Sequence, residues 1–288
     1  MEHGGVDKGI LYLCATPIGN LEDITLRALR VLKEVDLIAA EDTRNTIKLL
    51  NYYDIKTPIT SYHEHNKIEK GDKLIELLKS GKDIAVVSDA GTPGISDPGT
   101  DLVKKAVSEN INVDIIPGAS ACISALTVSG LSTDRFVFEG FLPKNKKEKE
   151  VLLEKLRRET RTIILYEAPH RLAASLRTIL KILGNREIAV VRELTKMYQE
   201  VFRGNMKEAI EKFNTDKPRG EFTLVIAGNE EVENNDANKW EGLSVEEHIL
   251  MYMKSGKSKK EAVKLTARDR GIPKNKVYKS SITIKEGQ

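Results

Sequence analysis

The chain has 288 residues, room for two or three domains. Its 40% hydrophobic and 31% charged residues are those of an ordinary globular protein and exclude a collagenous, low-complexity or wholly disordered chain. The net charge of +3 hides an asymmetry: residues 242–288 carry +6, residues 229–241 carry −4, and residues 1–228 are near neutral at +1. A basic tail on a neutral body points to a polyanionic partner for the tail.

Residues 1–9 are polar, lack the apolar stretch of a signal peptide, and read as a loose terminus. From there to about residue 130, strand and helix patterns alternate. Strands are predicted at 11–15, 37–40, 84–87 and 113–116, and helical spacing at 24–34, briefly after 44, at 74–79 and at 100–107. This alternation predicts an α/β domain over 10–132 with a parallel sheet covered on both faces. From residue 133 the pattern changes. Strands at 136–141, 162–166, 187–191, 198–202 and 222–227, with helices at 145–158, 171–183 and 206–213, predict a second α/β domain of mixed strand order over 133–228. Residues 229–241 are acidic and asparagine-rich and read as a linker. Ser244 with Glu247 forms a capping-box pattern, Ser255-Gly256 a stop, and Pro273 a third helix start. Residues 242–288 are therefore predicted to be three short helices, a basic helix-turn-helix-like module.

Cys14 and Cys122, the only cysteines, both lie in apolar runs. They read as core thiols in a reducing cytosol, with no disulfide framework or metal site. No apolar run approaches the ~20 residues of a membrane span. The expectation is a cytoplasmic protein with no membrane partner.

The richest segment is Ser88-Asp89-Ala90-Gly91-Thr92-Pro93-Gly94-Ile95-Ser96-Asp97-Pro98-Gly99. It follows a buried parallel strand, where open α/β sheets bind ligands. Its glycines permit close backbone approach, and its aspartates offer acceptors. It lacks the spacing of a phosphate cradle and carries two negative charges, so a cationic or hydroxyl-rich ligand fits better.

Together with this loop, Ala15-Thr16-Pro17-Ile18-Gly19-Asn20-Leu21, Ala40-Glu41-Asp42-Thr43-Arg44, Pro117-Gly118-Ala119-Ser120-Ala121, Tyr166-Glu167-Ala168-Pro169-His170-Arg171 and Gly220-Glu221-Phe222-Thr223-Leu224-Val225 form a distinctive set. By these motifs the chain resembles the tetrapyrrole-methylase-type (class III) methyltransferases and, more closely, the ribosomal RNA small subunit methyltransferase I family. Where the wider class carries Gly-Asp-Pro, this chain has Gly91-Thr92-Pro93, with Asp89 and Asp97 on either side.

The resemblance implies S-adenosyl-L-methionine as cofactor, held in a crevice between two α/β domains, and a homodimer. It implies 2′-O-methylation of a cytidine in 16S rRNA of the small ribosomal subunit, near the decoding centre. A small-molecule methyltransferase acting on a tetrapyrrole precursor and a non-catalytic RNA-binding protein are the alternatives. Strand-end placement and the resemblance assign the cofactor to Pro17, Asp89, Gly91, Thr92, Ile95, Ser96, Ser120, Ala121, Tyr166, Thr223 and Leu224. Methyl transfer to a ribose hydroxyl needs alignment and a proton acceptor. Candidates for the acceptor are Glu139, in an apolar strand or else facing solvent, His63, in a polar cluster or an exposed loop, and Asp42, which either orients Arg44 or caps a helix. Arg44 and Arg171 are candidate RNA contacts, Arg171 alternatively pairing inside the fold. Lys257, Lys259, Lys260, Lys264, Arg268, Arg270, Lys274 and Lys276 are the candidates of the tail.

Overall fold

The computed structural model describes residues 8–97, 99–214, 218–229, 240, 242–282 and 284. Strands β1 (Leu11–Cys14), β2 (Leu37–Ala40), β3 (Ile59–Ser61), β4 (Ile84–Val87) and β5 (Val113–Ile116) form an all-parallel sheet in the order β3-β2-β4-β1-β5. Side chains alternate across a strand, so β4 feeds both faces. Ala85 and Val87 pack with Leu32 and Leu50 of helices α1 (Leu26–Glu34) and α2 (Thr43–Tyr52). Ile84 and Val86 pack with Leu74, Leu78 and Leu102 of α3 (Lys67–Lys79) and α4 (Thr100–Ser108).

The second sheet has the order β6-β7-β10-β8-β9, from β6 (Phe136–Phe141), β7 (Thr162–Glu167), β8 (Glu187–Arg192), β9 (Glu200–Asn205) and β10 (Phe222–Ile226). Only β6 and β7 pair in parallel. One face is covered by α6 (Lys146–Leu156), α7 (Leu172–Leu183) and α8 (Met206–Phe213), around Leu153, Leu165, Leu176 and Leu224. The other face receives α5 (Ala121–Ser129), whose Cys122, Ala125 and Leu126 pack on Ile164, Ala189, Val191 and Val225. Because α5 follows β5 of the first sheet yet covers the second, the two sheets share one compact unit, Met1–Gly228, rather than parting at residue 132.

Residues from Asn229 onward form a second unit. Its helices α9 (Val245–Lys254), α10 (Lys259–Asp269) and α11 (Lys274–Ser281) enclose Ile249, Ala262, Val263 and Val277. Ser244 with Glu247 and Ser258 with Glu261 form complete capping boxes. The predicted acidic linker, apart from Asn229 and Trp240, lies outside the described residues. At the other end Gly9 is not loose: it is buried, and its N–H donates to Leu78 O at 2.8 Å. Both cysteines are buried free thiols, and burial pushes Cys14 up to about 12. Among the described residues no helix is long and apolar enough to cross a membrane.

Truncating Leu126, buried between α5 and the second sheet, should cost about 2–5 kcal/mol of stability. Urea unfolding of Leu126→Ala measures this, and an unchanged midpoint would show that α5 does not hold the unit together.

Candidate active site

The loops after β1, β2, β4 and β5 all leave the carboxyl edge of the first sheet, where the strand order turns at β1. Two of them are tied by a one-residue bridge. Thr16 N–H donates to Gly91 O at 2.9 Å, and Gly91 N–H donates back to Thr16 O at 3.1 Å. Gly91 has φ +83°, and a Cβ built there would meet Ile18 and Ala119 only at ordinary contact distance, 3.4 and 3.6 Å. Glycine at 91 therefore serves a left-handed backbone turn more than an unusually close approach. Ser96 takes φ +64°, a region few non-glycine residues adopt. A Cβ on Gly140, at the bulge of β6, would lie 2.7 Å from Ser96 Oγ, so that glycine leaves the room the loop occupies.

Between this edge and the second sheet lies a cavity of 370 Å³, within the size range of small-molecule sites. Of the sequence-assigned cofactor residues, Asp89, Gly91, Thr92, Ile95, Ser96, Ser120, Ala121, Tyr166 and Thr223 line it. Pro17 lines a neighbouring cavity instead. Leu224 points away: side chains alternate along β10, so Thr223 faces the cavity and Leu224 the opposite core. The Tyr166 ring is packed edge-on between Phe138 and Phe141 at 4.9 and 5.4 Å. Its hydroxyl accepts a hydrogen bond from Cys122 N–H at 3.1 Å, satisfying a free donor in the first turn of α5. Burial pushes this phenol well above its usual range.

Acidic residues gather on the cavity wall: Glu41 at the end of β2, Asp89 and Asp97 in the long loop, Glu221 before β10, and Glu167, whose carboxylate is turned into a buried network with Arg171 and Ser175. Burial, reinforced by the Glu41 charge, pushes Asp97 up to about 6, against a lowering hydrogen bond from Ser88. Burial also raises Glu41, whose carboxylate accepts from Asp89 N–H at 3.3 Å. Asp89 itself accepts from Asp42 N–H at 3.2 Å and from Asn45 Nδ2 at 3.3 Å, linking the loop to the start of α2.

None of the three sequence candidates for the proton acceptor lines the cavity. Asp42 caps α2 by accepting from Arg44 N–H and is gripped by the Arg44 guanidinium at 3.0 and 2.6 Å, which holds its carboxyl down to about 2. A carboxyl so acidic is a weak base near neutral pH, so the helix-cap reading of Asp42 replaces the catalytic one. Arg44 stays exposed. His63 sits 3.3 Å from Asn66 Nδ2, with its Nδ1 buried and unpartnered. Glu139 is half-buried at the β6 bulge. Glu41 and Asp97 belong to the sequence motifs but were assigned no role from them; the usable signal was Glu41's position directly after a buried strand and Asp97's place in the long loop that follows β4.

Arg171 takes the internal one of its two readings. Its guanidinium lies 3.3 Å from buried Glu167 and donates to the Leu142 and Pro143 carbonyls at 2.5 and 3.1 Å. Glu167 also accepts from Ser175 Oγ at 2.5 Å, and Ser175 is bound in turn by Lys149. This buried network pins the chain after β6 against β7, behind Tyr166. In the helical module, Arg270 is likewise engaged internally. It donates to His248 Nδ1 and to the Leu243 and Ser244 carbonyls, and stacks over Trp240 at 5.0 Å. Lys259 donates to Ile284 O at 2.7 Å. Lys257, Lys260, Lys264, Arg268, Lys274 and Lys276 are exposed, as is Tyr278, which no sequence motif singled out.

A family model described as Tetrapyrrole (Corrin/Porphyrin) Methylases matches residues 10–210. The chain is 54% identical over 278 residues to the ribosomal RNA small subunit methyltransferase I of Bacillus subtilis (strain 168), covering 96% of this chain and 95% of that one. It is 42% identical over 280 residues to the Pseudomonas aeruginosa protein of the same name, covering 96% and 98%. The namesake from Thermotoga maritima is 53% identical over 222 residues, which span 77% of this chain but 100% of the relative. Among solved structures, a cobalt precorrin-4 methyltransferase superposes with a TM-score of 0.58 at 17% identity, covering 76% of this chain and 94% of that one. A uroporphyrin-III-C-methyltransferase from Thermus thermophilus gives 0.56 at 18%, covering 80% and 98%. These two share the fold, while the near-full-length identities reach further: the chain belongs to the ribosomal RNA small subunit methyltransferase I family, within the tetrapyrrole methylases.

Proposed function

We propose that this protein transfers a methyl group from S-adenosyl-L-methionine to the 2′-hydroxyl of a cytidine in 16S rRNA of the small ribosomal subunit. The observation that carries the reading is identity over nearly the whole chain to relatives named for rRNA methylation, whereas the methyltransferases named for tetrapyrrole substrates share the fold alone. The cavity suits the cofactor. Its wall joins apolar side chains, Ile95, Phe141, Val191 and Leu194, to the acids Glu41, Asp89 and Asp97. Apolar surface accommodates a purine, and a negative wall favours a ligand bearing ammonium and sulfonium charges. When bound there, the cofactor supplies an electrophilic methyl group.

The chain's own task is alignment and proton removal. The Thr16–Gly91 bridge and the Tyr166–Cys122 hydrogen bond fix the cavity's walls before any ligand arrives, which lowers the ordering cost of the reaction. Asp97, titrating near neutrality, is the carboxylate best matched to accept the ribose hydroxyl proton. It accepts a proton only when ionised, so transfer should rise with pH through about 6 and fall on acidification. Single-turnover methylation of unmodified small subunits across pH tests this. Asp97→Asn should be slow at every pH, and a variant with the native rate and profile would remove Asp97 from the role.

A homodimer, expected from the resemblance, is part of this reading. Light scattering should give twice the mass of one chain, and a monomer at working concentration would refute it.

In the same reading the basic module holds rRNA phosphates. The matched Thermotoga relative aligns over too few residues to contain both units, in keeping with an auxiliary module on a self-sufficient body. Replacing Lys260, Lys264, Lys274 and Lys276 together by alanine should weaken subunit binding and leave cofactor affinity unchanged. The slope of log affinity against log salt should flatten by about 0.7–0.9 for every phosphate that the variant no longer neutralises. A variant with the native slope would mean that these lysines are only solvated.

A further inference from the structure

A second cavity of 350 Å³ adjoins the first, sharing Ile18, Asp89, Ala90 and Glu221 with it. One side is the loop after β1, from Thr16 to Gly19 with Leu21; the other is a single face of α2. Asn45, Lys48, Leu49 and Tyr52 line that face at spacings of three, four and seven residues, which brings them onto one side of a helix. Tyr52 is 65% exposed, an unusual position for a large ring. It is held from behind by Tyr53, edge-on at 4.8 Å, whose hydroxyl is anchored to Leu21 O at 2.6 Å. Lys48, one turn before Tyr52, is exposed, and its ammonium has no ion pair among the described residues. Lys196 on the opposite wall is different: its ammonium is bound to Glu193 and Glu221, each at 2.9 Å.

We propose that this second cavity receives the acceptor nucleotide of a single-stranded RNA segment, with its base stacked on Tyr52 and its phosphate held by Lys48. The inference rests on the rRNA-methylation reading and adds where the RNA enters. The acceptor hydroxyl must meet the methyl group, so its site must open onto the cofactor cavity, and the shared Ile18–Asp89–Ala90 wall is such an opening. An exposed, braced aromatic ring beside a free cation is how proteins hold unstacked bases of single strands. A nucleotide inside a duplex cannot present its sugar to a recessed cavity unless it is turned out, and an outlying ring to stack on offsets part of that cost. Asn45 leaves an amide oxygen beyond its bond to Asp89, an acceptor suited to an exocyclic amino group.

The test is methyl transfer from labelled cofactor to unmodified small ribosomal subunits by the full-length protein, with S-adenosylhomocysteine affinity measured in parallel by calorimetry. Tyr52→Ala should raise the KM for subunits by about tenfold or more. Tyr52→Phe, which keeps the ring, should behave as the native protein. Lys48→Ala should raise KM several-fold and flatten its salt dependence. S-Adenosylhomocysteine affinity should be unchanged in all three. Native KM in both alanine variants would overturn the assignment of this cavity while leaving the rRNA reading intact. Lost S-adenosylhomocysteine affinity in Tyr52→Ala would overturn it too, by making the ring part of the cofactor site. If the native protein itself methylates no subunit, the rRNA reading fails and the nucleotide site with it.

Discussion

Helix α5 is the constraint on which the rest of the body depends. Its sequence, Ala-Cys-Ile-Ser-Ala-Leu-Thr-Val-Ser, has no charged residue and so no face suited to full solvation. Chain connectivity delivers it from the first sheet, and its buried residues find their partners on the second. Burying it makes two sheets into one unit and places its first turn, with Ser120 and Ala121, on the cavity wall. The Tyr166 hydroxyl then satisfies an N–H that would otherwise be stranded at the helix start. One packing requirement thus sets both the spacing of the sheets and the position of the site between them.

The loop after β4 is held in a costly conformation by its surroundings. Ser96 takes a left-handed backbone conformation, a strain that survives only where neighbours over-determine it, while Gly91, Gly94 and Gly99 adopt positive φ at no such cost. The neighbours are identifiable: Thr16 pairs with Gly91, Thr92 donates to Ala119 O, and Gly140 yields space to Ser96. All three bind the loop to elements distant in sequence, so its shape belongs to the folded unit and is not available to the isolated segment.

These long-range dependencies explain what could be read in advance. β2, β4 and β5 were legible because short apolar runs bounded by turn residues have few other fates. β3, only Ile59–Ser61 and half-buried, has too little pattern to announce itself. α5 was missed because its exposed face carries Ile123 and Thr127 rather than charged residues, so the polar-apolar contrast that reveals an amphipathic helix is absent. Most of the assigned cavity residues sit at strand ends, where topology alone brings them together. Leu224 failed by one residue of strand alternation. For Asp42 and Arg171 the sequence left a functional and an internal reading open, and Arg270 read as available, for a common reason. Charged residues in a motif look available, yet each is satisfied by partners within the fold, and those partners are fixed only by tertiary structure.

If the acidic cavity holds the cofactor as proposed, a protein that acts on rRNA faces an electrostatic conflict, since the field that attracts a sulfonium repels phosphate. The structure eases it in two ways. Burial raises the pKa values of Glu41 and Asp97, the latter to about 6, so on acidification these carboxyls lose their negative charge earlier than they would in water. Screening does the rest: beyond about 8 Å at physiological ionic strength, exposed charges are largely hidden from one another. Lys48 on α2 is exposed, with no ion pair among the described residues, and so offers an RNA backbone its counter-charge from outside the cavity's acidic wall. The near-neutral total of residues 1–228 thus conceals a local separation, with acids gathered on the cavity wall and an exposed lysine on the adjoining face of α2.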